Sequence, residues 1–216
     1  FQCNIADPVK HKVIDILPSR NTENLCKHFL EYPYKERAEV KKIIMDLSTL
    51  FRSVAKTMFP EAKIVADKFH VIRVVINSLE NVRKRIQKEF HATKRKWFKR
   101  SRYLLLKPEY KLTSEDKIEL ARMLNSSYDL EKAYVLKERF YEVFRKQTRT
   151  EAKKELGNWL LLAADLSLPE FRHCITTFSN WKTEIANIID ERVSNGFIEG
   201  SNNKIKVLKR ISYGVR

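Results

Sequence analysis

Short apolar runs separated by turn residues open the chain. Phe1–Ile5 and Lys12–Leu17 are β-prone runs, and the pair Asp7-Pro8 between them is a turn signal. These features predict a β-hairpin. The next segment offers a helix cap at Asn21-Thr22 and carries an apolar stripe as far as Leu30, so it predicts a short helix.

Two compact apolar runs follow, and each is closed by a carboxylate. Val40–Met45 ends at Asp46, and Ala62–Ala66 ends at Asp67. Between them, a segment that Ser48 can cap carries its apolar residues at helical spacing. The order strand, strand, helix, strand, helix, strand predicts an α/β fold in which helices connect the strands of a sheet.

After His70 the apolar residues recur at helical spacing for more than a hundred residues. A long helix leaves the last strand and keeps an apolar stripe as far as Phe90. The chain contains only four glycines and six prolines, which agrees with long helices and few loops. Further helices are predicted to begin near Thr113, Leu130, Thr150, Ser167 and Asn180, and a last one covers Asn195–Arg210.

The charge of the chain is strongly positive. Lys and Arg outnumber Asp and Glu by 43 to 27, which gives a formal net charge of +16 and an isoelectric point near 9.8. Such an excess favours a polyanionic partner, because each phosphate neutralised by Lys or Arg releases condensed counterions. Nucleic acid is therefore the leading candidate. No apolar run approaches the roughly 18 residues that a membrane span needs, so we expect no membrane insertion.

The cysteines indicate the cellular compartment, and the chain ends indicate whether the sequence is part of a longer protein. Cys3, Cys26 and Cys174 are odd in number and widely separated, and this usage is typical of free thiols in a reducing cytoplasm. Nothing resembles a signal peptide, and the chain begins with Phe1 rather than Met. We expect both ends to be boundaries within a longer protein.

Three carboxylates are candidates for chemistry. Asp46 and Asp67 each follow a predicted strand, and ligands in open α/β sheets gather beyond the carboxyl ends of the strands. The alternative is that each one caps the next helix or begins a turn. Glu199 lies on a predicted helix and shares a face with Asn202 and Asn203. An isolated Glu on a polar helix face is usually solvated, so this pattern alone is weak.

Four stretches together resemble a known family. They are IVADKFHV at 64–71, RYLLLKPEYKLT at 102–113, LEKAYVLKERF at 130–140 and SNGFIEGSNNKIKVLKRISYG at 194–214. In this order they are similar to the DDE transposases of bacterial insertion sequences, in the ISL-three group. The resemblance extends over essentially the whole chain, and DKFH and NGFIEGSNNKIK are its most specific parts.

The resemblance implies the catalytic domain of such an enzyme, with an RNase H-like core of mixed sheet and helices interrupted by a large all-helical insertion. The first part of the core would cover residues 1–70, the insertion 71–184, and the C-terminal core helix 185–216. The first core strand, which carries the family's first catalytic Asp, would lie upstream of Phe1 and is missing from this chain.

The resemblance also implies the residues of the site. Asp46 matches the second catalytic acid and Glu199 the last, so these two are expected to hold two Mg²⁺ ions, for which Mn²⁺ can substitute. Asp67 and His70 match a signature close to the site and are expected to support it. Asn202 and Asn203 are expected to do so from the helix of Glu199. Mg²⁺ prefers hard oxygen ligands, which agrees with carboxylates in these roles.

A basic stretch from residue 84 to residue 102 is the second candidate site. It mixes cations with aromatic residues, and Glu89 is its only acid. Phosphate contacts from Lys and Arg position DNA, and an aromatic ring can stack on an unpaired base. The alternative is a solvated helix surface. The expected DNA-binding residues are Lys84, Arg85, Lys88, Lys94, Arg95, Lys96, Trp97, Lys99, Arg100 and Arg102, together with Lys204, Lys206, Lys209 and Arg210 beside Glu199.

These interpretations predict an enzyme that cleaves and joins phosphodiester bonds at insertion-sequence ends. Its implied partners are the double-stranded DNA ends of the mobile element and target DNA. A homodimer could hold two ends together, although the sequence carries no interface signature. The expected location is the bacterial cytoplasm, in association with the nucleoid. Two alternatives are a non-catalytic DNA-binding or regulatory remnant of a transposase, and a helical scaffold that binds proteins; the scaffold explains neither the charge nor the ordered motifs.

Overall fold

The computed structural model describes residues 3–190, and these form an α/β arrangement that is mostly helical, with four strands and eleven α-helices. The predicted helix over 195–210 lies outside the described residues. The chain divides into two compact units. Of the described residues, the first unit comprises 3–69 and Asp190, and the second comprises His70–Ile189.

The predicted hairpin at the start of the first unit is confirmed. Strand β1 (Cys3–Asp7) pairs antiparallel with β2 (Lys12–Leu17), and the register shifts between Ile5 and Ala6. The turn is stabilised locally, because a carboxylate oxygen of Asp7 accepts hydrogen bonds from the backbone N–H groups of Val9 and Lys10 at 2.8 and 3.0 Å. His11 adopts the left-handed conformation with φ of 50° as the chain enters β2.

A parallel strand–helix–strand unit follows and brings the two candidate Asp residues together. Strand β3 (Lys42–Met45) pairs in parallel with β4 (Lys63–Ala66), and helix α3 (Thr49–Met58) connects them. The Ser48 hydroxyl caps α3 by accepting a hydrogen bond from the N–H of Phe51, as predicted. Both strands therefore end at the same edge, where Asp46 and Asp67 follow them.

The described strands form two separate two-stranded sheets rather than the single sheet that the sequence predicted. Within residues 3–190, β1 pairs only with β2, and β3 pairs only with β4.

A small core holds the first unit together. Its buried members are Leu17 of β2, Leu25 of helix α1 (Thr22–Leu30), and Val54 and Met58 of α3. Helix α1 is capped by the Asn21 side chain, as predicted. A six-residue helix α2 (Tyr34–Glu39), which the sequence did not predict, follows α1 and buries none of its residues.

The second unit is a helical assembly, and the long helix predicted after the last strand is α4 (Lys68–Gln87). The buried aromatic rings of Phe140, Trp159 and Phe178 pack together, with ring centroids 5.0–5.6 Å apart. Three 3-10 turns, at Glu109–Lys111, Pro169–Phe171 and Asn187–Asp190, accompany the helices. The other helices are α5 (Ala92–Arg100), α6 (Arg102–Leu106), α7 (Ser114–Leu124), α8 (Tyr128–Val143), α9 (Arg149–Leu166), α10 (Arg172–Asn180) and α11 (Lys182–Ala186).

Polar caps set the starts of two of these helices. Thr113 and Asp116 form a reciprocal capping box at α7, and Thr148 and Glu151 form another at α9. Helix α9 ends at Leu166, and the next residue, Ser167, has a φ of 53°, in the left-handed region that stops a helix.

Candidate functional site

Asp46, Asp67 and His70 form a cluster at the carboxyl ends of β3 and β4. One potential ligand atom from each of the three side chains lies within 4.8 Å of the other two. The N–H of Asp67 donates to the carbonyl of Met45 at 2.7 Å, which continues the β3–β4 pairing by one residue. The two carboxylates therefore converge because their strands are parallel and in register.

The start of α4 brings the imidazole to the same place. The helix begins at Lys68, directly after Asp67, and a carboxylate oxygen of Asp67 accepts the N–H of Phe69 at 3.2 Å. His70 thus lies in the first turn, three residues after Asp67, which is the spacing that puts two side chains on one helix face. Asp67 is buried, with 4% of its surface exposed, whereas Asp46 and His70 are half-buried.

The donor set fits a divalent cation. Two ligand atoms on one octahedral Mg²⁺, with bonds of about 2.1 Å, lie at most about 4.2 Å apart. The observed limit of 4.8 Å is close enough that small side-chain rotations would complete the geometry. Carboxylates suit Mg²⁺ and Mn²⁺, whereas imidazole suits softer ions. Asp46 and Asp67 therefore offer the donor type that suits Mg²⁺ or Mn²⁺, and His70 is the least suited of the three.

Several predicted site residues lie outside the described residues. They are Glu199, which was expected to complete the metal site, its neighbours Asn202 and Asn203, and the cations Lys204, Lys206, Lys209 and Arg210. Their roles stay predictions. Asp67 and His70 cluster with Asp46, and their supporting roles also stay predictions.

Four residues of the basic stretch are held by contacts within the second unit. The guanidinium of Arg85 donates to Glu170 at 2.6 Å and to Asp129 at 2.9 Å, and these bonds raise the pKa of Arg85 above its ordinary value. Three others are held more locally: Arg95 donates to the carbonyls of Gln87 and Lys88, the ammonium of Lys94 lies 4.1 Å from the ring centroid of Phe90, and the indole N–H of Trp97 donates to Glu119.

The remaining cations of the stretch are exposed and make no side-chain hydrogen bond or ion pair within residues 3–190. Four of them line a hollow of about 590 Å³ beside the C-terminal half of α4. We call it the basic hollow; its cations without a partner are Lys84 and Lys88 from the α4 side, Lys99 from α5 and Arg102 from α6. The other two, Lys96 and Arg100, are exposed and do not line it.

Sequence reasoning missed Arg83, which also lines the basic hollow. Its side chain is buried, donates to both carboxylate oxygens of Glu80 at 2.7 and 3.1 Å, and reaches Gln87 at 2.6 Å. A Glu three residues before an Arg on one helix was a visible signal for this pair. The contact fixes the wall of the hollow without leaving the guanidinium exposed.

A buried lysine in α8 was also missed. Lys137 is 1% exposed, donates to the carbonyl of Lys107 at 2.7 Å and forms an ion pair with Glu138. Its ammonium lies 4.1 Å from the ring centroid of Tyr134. Burial lowers the pKa of Lys137 below its ordinary value, with the Glu138 contact opposing that effect.

Comparison with known proteins identifies the family of the chain. A family model for the DDE class of the ISL3 (ISL-three) group, described as transposase, matches residues 1–216. The chain therefore belongs to this transposase family. No solved structure matches it.

Individual relatives are more distant. The chain is 26% identical over 216 residues to the transposase for insertion sequence element IS1001 of Bordetella parapertussis, and 25% identical over 235 residues to that for IS1557 of Mycobacterium tuberculosis. Each match covers 98% of this chain and 53% of the relative, so the chain spans about half the length of both. A shorter match, 36% identical over 84 residues, is to a protein of Lactococcus lactis named ATP-dependent protease; it covers 38% of this chain and 23% of that protein.

Among the helices in residues 3–190, none is both long and apolar enough to cross a membrane.

Proposed function

We propose that this chain is part of the catalytic region of a DNA transposase that cleaves and joins phosphodiester bonds at insertion-sequence ends. The observation that carries the proposal is the convergence of Asp46, Asp67 and His70 at the ends of two parallel strands. Paired carboxylates at such an edge are what a divalent-cation site for phosphoryl transfer requires. Membership of the transposase family supports the same chemistry.

In this proposal each side chain of the cluster has a role. Asp46 and Glu199 hold the metal ions, as the resemblance of their motifs implies, and Asp67 supports Asp46 from the adjacent strand end. His70 borders the same space from the first turn of α4. When bound, two Mg²⁺ ions, or Mn²⁺ in their place, would activate the attacking oxygen and stabilise the leaving oxygen.

The two-sheet arrangement supports an additional core strand. Within the described residues, β1 and β3 each pair on one edge only. We propose that a strand preceding this chain lies between them and carries the first catalytic Asp. One mixed sheet of the RNase H type, with the helical second unit as its insertion, would result.

The basic stretch supports DNA as the partner. Lys84, Lys88, Lys96, Lys99, Arg100 and Arg102 are exposed and have no acidic partner within the described residues, so their charge is available to phosphates. Arg85, Lys94, Arg95 and Trp97 contribute mainly by shaping this surface, because contacts inside the unit already hold them. The same surface would serve a non-catalytic DNA-binding remnant, so binding alone does not separate the two functions.

Substitution of the carboxylates in the intact transposase tests the proposal. Metal ions supply several kcal/mol of transition-state stabilisation, so Asp46→Asn should slow Mg²⁺-dependent nicking of a plasmid carrying the element's ends by about 100-fold or more. Asp67→Asn should cost about 10–100-fold if its role is to support the ligands. Asp165→Asn, an exposed carboxylate on α9, is the matched control and should leave nicking unchanged.

DNA binding, measured by fluorescence anisotropy in EDTA, should be retained in all three variants. Wild-type nicking by Asp46→Asn would refute the catalytic assignment and leave the non-catalytic DNA-binding protein as the explanation.

A further inference from the structure

The basic hollow differs from an ordinary basic surface because its cations face one concave space. Lys84 and Lys88 approach from α4 and the residue that follows it, and Lys99 and Arg102 approach from α5 and α6. Of the described residues that line the hollow, none is acidic. Four positive charges held around one space repel one another, so a polyanion that enters it gains more than it would on a flat surface.

The walls of the hollow are fixed by contacts other than those of the four cations. Arg95 donates to the carbonyls of Gln87 and Lys88 at 3.2 and 2.8 Å, which ties α5 to the end of α4. Phe90 and the buried Phe98 pack edge to face with centroids 5.1 Å apart. The site is therefore formed in advance, and binding does not have to order its backbone.

The size of the hollow distinguishes between forms of DNA. A volume of about 590 Å³ is that of a cube about 8 Å wide, whereas the major groove of B-DNA alone is about 12 Å wide. A duplex, which is wider than this, would reach the four cations mainly with the phosphates on its outer surface. A single unpaired strand, which is narrow and flexible, can pass consecutive phosphates between the two walls.

We propose that the basic hollow binds the phosphate backbone of an unpaired DNA strand, such as a strand end exposed by cleavage. This inference rests on the proposed DNA-binding function and deepens it. The recognised chemistry is a run of adjacent phosphodiesters, and the exposed Asn81, which also lines the hollow, offers an amide to a sugar or a base. The proposal predicts that binding weakens as the salt concentration rises and that a single strand loses more affinity than a duplex when the hollow is altered.

The main test compares two charge-matched fourfold variants of the chain. The hollow variant combines Lys84→Ala, Lys88→Ala, Lys99→Ala and Arg102→Ala. The control variant combines Lys117→Ala, Arg139→Ala, Lys154→Ala and Arg172→Ala, which removes four exposed cations that lie outside the basic stretch and do not line the hollow. Binding of a fluorescein-labelled 12-nucleotide oligothymidine and of a 12-base-pair blunt duplex is measured by anisotropy at several salt concentrations.

The expected size of the effect follows from counterion release. On a single strand each phosphate contact contributes about 0.7 to the salt slope, which is about fivefold in affinity at about 0.1 M salt. We count two phosphate contacts for the four cations together, one on each wall, so the hollow variant should bind oligothymidine about 25-fold more weakly and with a slope smaller by about 1.4. The control variant should lose at most about fivefold, and the hollow variant should lose at most about fivefold on the duplex.

A variant with two substitutions instead of four is less prone to altered folding and repeats the test. Lys88→Gln combined with Lys99→Gln removes one cation from each wall and should give about half of the fourfold variant's loss on a logarithmic scale. Circular dichroism spectra and thermal melting should match the wild type, because both side chains are exposed.

Each other outcome overturns the inference. Equal losses in the hollow and control variants would mean that only total charge matters. Equal losses on duplex and single strand would make the hollow part of a duplex-binding face. If the wild type binds the duplex but not the single strand, only this inference fails; if it binds neither, the proposed DNA-binding function fails as well.

Discussion

Lys137 offers a sharp test of the structure of the helical unit, because a buried cation must be compensated. Its ammonium is enclosed by the carbonyl of Lys107, the carboxylate of Glu138 and the ring of Tyr134. Removing one partner of a buried ion pair typically costs about 3–5 kcal/mol. We therefore expect Lys137→Ala to lower the free energy of unfolding by about 3–5 kcal/mol, because it also leaves a cavity where the lysine side chain was.

Lys137→Met separates the charge from the volume. Methionine fills most of the same space, but the carbonyl of Lys107 loses its ammonium donor, and an unsatisfied buried acceptor costs about 1–3 kcal/mol. Relief from burying the charge offsets part of that cost, so the net loss should be about 1–2 kcal/mol at pH 7. Lys117→Met, at an exposed position on α7, is the control and should change stability by at most about 0.5 kcal/mol.

The pH dependence of the free energy of unfolding tests whether Lys137 is buried as a cation. Burial lowers the pKa of Lys137 in the folded protein, so between that pKa and the unfolded value of about 10.4 the unfolded chain binds more protons at this site. The stability of the wild type should therefore rise with pH relative to Lys137→Met in this window, by at most about 1.4 kcal/mol per pH unit. Burial also raises the pKa values of Tyr134 and Tyr141, but both tyrosines are present in the two proteins being compared.

Urea unfolding followed by circular dichroism, between pH 7 and pH 10, measures these differences. The reasoning about Lys137 would be refuted if Lys137→Met were as stable as Lys117→Met at pH 7. It would also be refuted if the difference between the wild type and Lys137→Met did not change with pH.

Two further predictions concern the packing and capping of the same unit. Phe140 is 1% exposed and packs against Trp159 and Phe178. In urea unfolding, Phe140→Ala should lower the free energy of unfolding by about 3–5 kcal/mol and Phe140→Leu by about 1.5 kcal/mol or less. Equal losses in the two variants would contradict this packing. Thr148→Ala should cost about 1 kcal/mol by removing the capping box of α9, whereas Thr148→Ser should keep most of it, and no difference between the two would contradict the cap.

The sequence predicted the elements whose signals are local. Asn21, Ser48 and Thr113 each cap the helix that was expected after them, and the runs that end at Asp46 and Asp67 are the parallel strands. A cap or a short apolar run depends on residues only a few positions apart, so a single sequence displays it. The placement of both carboxylates at one sheet edge follows from the parallel connection.

The missed features depend on distant contacts or carry no pattern. Helix α2 buries no residue, so it has no apolar stripe to recognise. The separation of α5 from α6 occurs at Ser101, inside a stretch rich in cations, where neither glycine nor proline marks a boundary. Nothing in the sequence shows that Arg85 will meet Glu170, 85 residues further along the chain.

Those distant contacts decide which charges can act on a partner. Counting Lys and Arg treats Arg85 and Lys84 as equal, yet Arg85 is neutralised by two carboxylates and Lys84 faces the hollow. The useful electrostatic footprint is therefore smaller and more localised than the net charge of +16 suggests. In our proposal, the position of the unpaired positive charge, rather than the net charge of the chain, is what favours a single strand over a duplex.

His70 and Lys84 lie at opposite ends of one continuous helix, α4, which sets the distance between these two residues. His70 lies in its first turn and Lys84 in its last, and 14 residues at about 1.5 Å each give about 21 Å along the axis. At about 3.4 Å per nucleotide of a stacked strand, that distance corresponds to about six nucleotides. A stacked DNA strand that contacts both ends of α4 therefore needs about six nucleotides between its phosphate beside His70 and its phosphates in the hollow. A stretched strand needs fewer nucleotides to cover the same distance. Because one continuous helix carries both residues, this spacing is fixed by the backbone and does not depend on how the side chains adjust when DNA binds.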